Sequence, residues 1–354
     1  MGQREKIHLD CRHFRGDIPC GPHKTHGVHC KNCPFYDPIQ KRILIIKLGA
    51  IGDVIRTTPI LRKLKALYPH ALIHWLTHTP EVLPSMVDRT FRFVPEDIEV
   101  LKATHYDLLL NLDKDREVCA LTEQISAKKK KGFRLKYGHC YPINAHAYHK
   151  WLTGLFDDIN RQNTKSYPEE IFEICGYRFN GEEYVLENRG PKKWALPKNK
   201  PIIGLNTGCG VRWKTRLWPD THWIALAKKL KKENYTVLFL GGEQEHEKNK
   251  ILAQKAGVHY LGHFPLTTFI DLVDQCELVV TAVTMALHIA IGLKKKVVLF
   301  NNIFNPHEFE LYNRGTIIEP PVPCRGCYKN ECSDPCMELI SPEMVFEKIQ
   351  ELLS

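Results

Sequence analysis

No stretch of this 354-residue chain approaches the roughly 18 uninterrupted apolar residues that a membrane-spanning helix requires. The opening residues, Met1 to Asp10, also lack the apolar stretch of a secretory signal, so the expected location is the cytoplasm. There is no G-x-G-x-x-G segment after a strand, which argues against an ordinary dinucleotide-dependent dehydrogenase. The basic residues are scattered, and no helical stretch carries a basic stripe with base-reading side chains. Nucleic acid is therefore not an expected partner.

What is present reads as a soluble globular protein. The 43% hydrophobic share is enough to bury a sizeable core, and the length fits two domains of about 150–200 residues. The formal charge of +10 points to an anionic partner, such as a phosphorylated substrate or a membrane surface, or to a simply solvated surface.

The texture changes along the chain. Residues 1–40 are rich in cysteine, histidine and proline with little apolar period, and read as a loop-rich cap. Residues 41–190 begin with the apolar run Ile43 to Ile46, a buried strand, followed by the turn Gly49-Ala50-Ile51-Gly52-Asp53. Helical spacing follows, and Pro59 either starts that helix or kinks it. Strands are expected at Leu72–Leu76 and Asp107–Leu112. A lysine run, Lys128 to Lys131, and the region 140–190 show no clear period. The stretch Pro191 to Pro201 resembles an interdomain linker.

Residues 191–354 then repeat the strand–helix alternation. Expected strands are Ile202–Leu205, Thr236–Leu240, Val258–Leu261, Leu278–Thr281 and Val297–Phe300. Ser341 is the expected N-cap of the last helix, with Pro342 at its first position. The fold class is therefore α/β, with two Rossmann-like, doubly wound parallel sheets facing a cleft. In such sheets ligands bind beyond the carboxyl ends of the strands, which directs attention to four segments.

In Lys47 to Val54, the glycines Gly49 and Gly52 allow close backbone approach, and Asp53 is placed as a general base or as a plain helix cap. In Asn206-Thr207-Gly208-Cys209-Gly210 through Lys214 and Arg216, a Gly-rich loop and two cations suit a phosphate. In Gly241 to Glu245, a carboxylate suits ribose hydroxyls or a helix N-terminus. In Thr281 to His288, a helix starting near Thr284 directs free N–H groups at a pyrophosphate, with His288 one turn on.

Together these segments resemble glycosyltransferase family 9, the ADP-heptose:lipopolysaccharide heptosyltransferases, here with an added cysteine-rich N-terminal segment. The run Ile-Leu-Ile-Ile-Lys-Leu-Gly-Ala-Ile-Gly-Asp-Val-Ile-Arg-Thr-Thr-Pro from Ile43 and the segment Arg216-Leu217-Trp218-Pro219 carry the likeness. The resemblance implies a GT-B fold and an inverting transfer with no catalytic metal. It implies Asp53 as the base, Arg216 where the family has a donor-contacting lysine, Glu245 on the ribose, and Thr284, Met285, Ala286 and His288 around the diphosphate and sugar. With Gly52, Asn206, Thr207 and Lys214, these form the expected donor site. The departure is Val283, where the family pattern has an aspartate that accepts hydrogen bonds.

The chain has 13 cysteines, which in a reducing compartment read as thiols or metal ligands. Cys324, Cys327, Cys332 and Cys336 have tight metal-ligand spacing, and Cys11, Cys20, Cys30 and Cys33 form a looser set. Structural zinc or iron at either cluster is the expectation. The cysteine-rich ends are also similar to those of a heptosyltransferase subgroup that modifies autotransporter proteins with the help of cysteine-bound iron. The implied partners are a nucleotide diphosphate sugar donor, an acceptor hydroxyl on lipopolysaccharide core or on a protein, and the inner membrane as a peripheral contact. The rival readings are an inactive nucleotide-binding relative and a metal-stabilised nucleic-acid-binding protein.

Overall fold

A computed structural model describes residues 5–189, 194–197, 199–210 and 212–354. Two compact units emerge. One comprises Met1–Leu48, Ile60–His78 and Ser85–Asn144, and the other Gly49–Pro59, Thr79–Pro84 and Ala145–Ser354. The division thus falls at 144, before the linker expected at 191–201, part of which (191–193 and 198) lies outside the described residues. The reason is local packing. The Nδ2 of Asn305 donates to the carbonyls of Asn160 and Asn163, and that of Asn188 to Asp271 and Asp274. These bonds tie 145–188 to the C-terminal sheet's unit.

In the first unit a sheet runs in the order β3-β2-β1-β4-β5-β6. Its strands are β1 (Lys41–Ile46), β2 (Ala71–Leu76), β3 (Arg89–Phe91), β4 (Tyr106–Asn111), β5 (Ala127–Lys136) and β6 (His139–Pro142). The first five pair in parallel and β6 pairs antiparallel with β5. Ile43 to Ile46 are fully buried, as an unbroken apolar run requires when both faces of a sheet are covered. The lysine run forms part of β5, which a period-2 reading misses because the alternating side chains are chemically identical. Lys130 turns to the carbonyls of Thr122 and Glu123 at the end of a helix, while Lys128 pairs with Asp107.

The second unit has a parallel sheet ordered β11-β10-β9-β7-β8. It is built from β7 (Ile202–Asn206), β8 (Thr236–Leu240), β9 (Leu278–Ala282), β10 (Lys296–Phe300) and β11 (Gly315–Ile318). The strand expected at Val258–Leu261 is not formed. His259 makes a single bridge to Leu238 at the edge of β8, and its neighbours go no further. Trp218, Trp223, Phe239 and Phe300 form the aromatic heart of this unit, and the Trp218 indole N–H donates to the Ile340 carbonyl at 2.8 Å. Ser341 caps the last helix as expected, accepting from the Met344 N–H. At Pro59 the chain breaks: one helix, Ile51–Thr57, ends, and another, Pro59–Leu67, begins at the proline. Among the described residues no helix is long and apolar enough to cross a membrane.

Gly132 sits in β5 with φ +97°, and a Cβ there would lie 1.8 Å from the Asn111 carbonyl oxygen. Gly132→Ala is expected to lower the unfolding free energy by about 1–3 kcal/mol, through an unfavourable φ and a pushed β4–β5 ladder. A urea titration monitored by tryptophan fluorescence checks this.

Candidate active site

The helix Ile51–Thr57 follows the turn at Gly49-Ala50, and its N-cap is Ala50, which makes no side-chain cap bond. Asp53 therefore does not cap. Its carboxylate is instead held by Arg56 one turn on, whose Nε and second terminal nitrogen both reach Oδ1, at 2.9 and 2.8 Å. The other end of the guanidinium reaches Glu308 at 2.6 Å, and its plane lies 3.6 Å over the Tyr167 ring. Burial works to lower the pKa of Arg56, but the carboxylates of Asp53 and Glu308 more than offset it and raise it. The Asp53 side chain remains 32% exposed.

Gly52 faces a different partner. A Cβ at this position would lie 2.5 Å from Cδ2 of His288. Only glycine lets the imidazole rest against the start of this helix. His288 belongs to the helix Met285–Gly292, stacks on Tyr184 with centroids 6.2 Å apart, and has no hydrogen-bond partner at Nδ1. Burial, and then the charge of Arg56, push its pKa down to about 3, so the ring is neutral.

The loop after β9 closes on the loop after β7. The Asn206 amide donates to the hydroxyls of Thr281 and Thr284 at 3.0 and 3.3 Å, and those two hydroxyls lie 3.0 Å apart. Thr207 donates to Asn249 at 2.6 Å, and Lys248 reaches the Thr207 carbonyl at 3.3 Å. The Glu245 carboxylate lies directly over Gly208, where a Cβ would come within 2.5 Å, and it accepts from the Gly242 N–H at 3.0 Å. Asn206, Thr207, Glu245 and Thr284 are thus gathered at the carboxyl ends of β7, β8 and β9. Met285 and Ala286 open the helix behind them.

Arg216 is almost wholly buried, and its guanidinium is taken up by the carbonyls of Cys209, Trp213 and Val283. Burial lowers its pKa, with the neighbouring Cys209 acting in the other direction. Val283 thus serves through its backbone, and the loop is held there by a cation that spans both loops. Lys214, by contrast, is exposed and lines an open cavity of about 1310 Å³ together with Arg212, Lys248 and Lys329. Cys209 is buried, donates to main-chain carbonyls, and burial pushes its thiol pKa up.

The first unit carries its own charged cluster, at the carboxyl ends of β1 and β4. Asp113 accepts from the Leu48 N–H at 2.9 Å and pairs with buried Lys47 at 3.4 Å. Burial and the nearby Asp113 raise the pKa of Asp115.

All four N-terminal cysteines line one cavity of about 30 Å³, and all four of the C-terminal set lie in the wall of the larger cavity. All eight are free thiols. Among the described residues no three His, Cys, Asp or Glu groups are placed to hold an ion.

Arg56, Glu308, Tyr167, Lys248 and Asn249 were not singled out in the sequence. Arg56 lies inside the quoted motif, but Glu308 is 252 positions away in the chain, and no periodicity joins them.

Because His288 is held neutral, it binds no proton in the fold above about pH 3, while the unfolded ring does so below about 6.5. A depressed folded pKa means stability that is complete above the unfolded value and lost as pH falls. At pH 5 the loss is about 2 kcal/mol for this ring. His288→Gln should flatten that part of the stability–pH curve, measured by denaturant unfolding between pH 7 and 4.5.

The model of glycosyltransferase family 9 (heptosyltransferase) matches residues 98–337. Lipopolysaccharide heptosyltransferase 2 of Salmonella typhimurium is 24% identical over 352 residues, covering 88% of this chain and 99% of the relative. Among solved structures, a family 9 glycosyltransferase from Veillonella parvula aligns with a TM-score of 0.67 at 18% identity, over 89% of this chain and 97% of the other. The ADP-heptose lipopolysaccharide heptosyltransferase II of E. coli aligns at 0.65 and 18%, over 88% and 98%. The two parallel-sheet units are thus those of the GT-B fold, and the chain belongs to glycosyltransferase family 9, the heptosyltransferases, and is a glycosyltransferase.

Proposed function

We propose that the chain transfers a heptose from ADP-heptose to a hydroxyl of lipopolysaccharide core, with inversion at the anomeric carbon. One observation carries the reading. The Asp53 carboxylate stands in the first turn of a helix whose Gly52 packs on His288, so a base lies beside the helix that follows the Thr281–Thr284 loop. Support for the donor and acceptor comes from the names of the relatives and their length match.

In this reaction an Asp53 oxygen takes the proton of the acceptor hydroxyl as that oxygen bonds to the anomeric carbon. The bond from that carbon to the diphosphate oxygen breaks, and its electron pair leaves on ADP. A single displacement from the opposite face inverts the centre. The free N–H groups at Thr284 and Met285, with Lys214, stabilise the charge on the leaving diphosphate. Arg216 shapes the two loops around it through their carbonyls. Glu245 serves the ribose, and Asn206, Thr207, Ala286 and His288 line the donor site. No step calls for a metal.

Asp53→Asn keeps shape and removes basicity. It should lower kcat by about 10²–10⁴-fold, while donor affinity, read by calorimetry with ADP-heptose, stays within about twofold of wild type. Full turnover in this variant refutes the base. A panel of nucleotide sugars, with lipopolysaccharide core and candidate proteins as separate acceptors, tests the sugar and the acceptor. Silence with every donor, while ADP still binds, points to the inactive relative.

Two further assignments belong to this reading. The strands β5 and β6 and their turn, residues 127–142, hold six Lys or Arg and no Asp or Glu, and Tyr137 at the turn is 91% exposed. A basic ribbon with an aromatic tip suits peripheral contact with an anionic leaflet, where a lipid-borne acceptor resides.

The cysteine clusters are proposed to hold structural zinc or iron. The N-terminal set suits this in donor type and in a cavity with room for about one atom, provided that the thiols turn inward on binding. The surrounding segment has little else to order it: its helix Gly21–His26 and the turn Cys30–Asn32 bury no residue. Native protein should carry metal by plasma mass spectrometry. Cys30→Ser/Cys33→Ser and Cys324→Ser/Cys327→Ser should each remove one equivalent. A metal-free native protein with every exposed thiol titrating refutes the assignment.

A further inference from the structure

We infer that Arg56 is the positioning residue for Asp53, holding its carboxylate in one orientation and in its ionised form for the acceptor hydroxyl. The inference rests on Asp53 being the base. It assigns the surrounding buried charges, which that reading leaves without a purpose.

The geometry is that of a clamp with both ends fixed. Two nitrogens of Arg56 converge on Oδ1 of Asp53 at 2.9 and 2.8 Å, which locates that oxygen from two donors at once. A lysine at this position presents a single point charge and cannot offer both donors in a fixed fork. Arg56 is itself immobilised from two other elements. Glu308 binds its far nitrogen at 2.6 Å from the short turn Pro306–Glu308, and Tyr167 supports its face from the first turn of the helix Tyr167–Ile174.

That turn is anchored in its own right. Asn305 caps it by accepting from the His307 N–H at 3.0 Å, while its amide donates to the carbonyls of Asn160 and Asn163 at 2.7 and 2.6 Å. The position of the Asp53 carboxylate is thus specified by a chain of buried bonds running through Arg56, Glu308 and Asn305. Such a chain is costly to build from charges, and the helix already has apolar burial through Val54 and Ile55 to hold it in place.

The charges facing the Asp53–Arg56 pair are few. On its own helix there is no other ionisable side chain. From the helix Met285–Gly292 comes His288, neutral above about pH 3. From the segment before β7 comes Tyr184, whose pKa is raised by burial. Among the described residues Tyr167 and Glu308 also act on the pair. Arg56, in contact with the Asp53 carboxylate, favours its ionised form. Its removal lets the carboxylate hold a proton to higher pH, so the acid limb of the rate profile moves upward.

The test measures kcat, donor KM and the pH profile of transfer from ADP-heptose to lipopolysaccharide core for Arg56→Lys, Arg56→Gln and Glu308→Gln, with Asp53→Asn as reference. Arg56→Gln is expected to lower kcat by about 10²-fold, as for a misplaced catalytic group. It should shift the acid limb up by about one pH unit or more and leave donor KM unchanged. Arg56→Lys should keep the limb near its wild-type position while losing part of kcat, because charge is kept and the fork is lost. Glu308→Gln, which keeps Arg56, reports on the clamp even if Arg56→Gln fails to fold, and should lower kcat less. A fall in kcat with an unmoved acid limb overturns the inference in favour of a purely structural ion pair. A raised donor KM with kcat preserved overturns it in favour of a diphosphate ligand. If Asp53→Asn turns over normally, the base assignment itself fails. If Asp53→Asn is inactive and the Arg56 variants keep the wild-type profile, only the positioning role fails.

Discussion

The approach of the His288 ring to the backbone at Gly52 sets the geometry on which the candidate site depends. Any side chain at Gly52 collides with the imidazole, so the start of the helix Ile51–Thr57 sits directly against the helix Met285–Gly292. The contact continues along both helices, where a Cβ at Gly292 would come within 2.9 Å of Leu186 and 3.6 Å of Ile55. Two glycines thus allow two helices to lie close enough for a carboxylate on one to stand beside the loop that precedes the other. Segments far apart in the chain, Gly52 and His288 among them, become one surface, and the short piece Gly49–Pro59 belongs to the same compact unit as the C-terminal sheet for this reason.

Two buried arginines divide the remaining work. Arg56 binds carboxylates, is held between them, and orders a charged side chain. Arg216 binds carbonyls only, and orders main chain: it joins the Gly-rich loop after β7 to the loop after β9. This second role explains how the β9 loop is held with valine at position 283, since the bond runs to the peptide oxygen, which every residue type supplies. The guanidinium's planar fork serves both tasks, and a lysine at either site has the charge without the geometry.

The positive charge is distributed unevenly among the described residues. Part of it is consumed inside the second unit, part faces an open cavity at Lys214, Lys248 and Arg212, and six cations lie along the β5–β6 ribbon of the first unit. The cavity cations suit a diphosphate, and the ribbon suits an extended anionic surface. The two cysteine sets follow a similar logic: each lies in a loop-rich segment with little apolar material of its own.

Much of the fold was legible in the chain. Short apolar runs rich in β-branched residues, such as Ile43–Ile46, read as strands covered on both faces, and Gly49 to Asp53 reads as a turn into a helix. Residue types after strand ends also singled out Asp53, Glu245, Thr284 and His288 as candidates, and the structure places each of them just beyond the end of a strand or in the helix that follows one. The sequence was silent where identity hides period, as in the lysines of β5, and it misplaced the strand at Val258–Leu261, where propensity met a sheet edge with one bridge to offer. Local pattern determined the elements and the candidate residues. Only tertiary structure decided that the Arg56 bound to Asp53 is itself tied to Glu308, that Arg216 spends its hydrogen bonds on main chain, and that 145–188 belong with the second sheet. The deciding contacts, Arg56 to Glu308, Arg216 to Val283 and Asn305 to Asn160, join residues distant in sequence, and their energies depend on burial and angle and leave no local trace in the order of the residues.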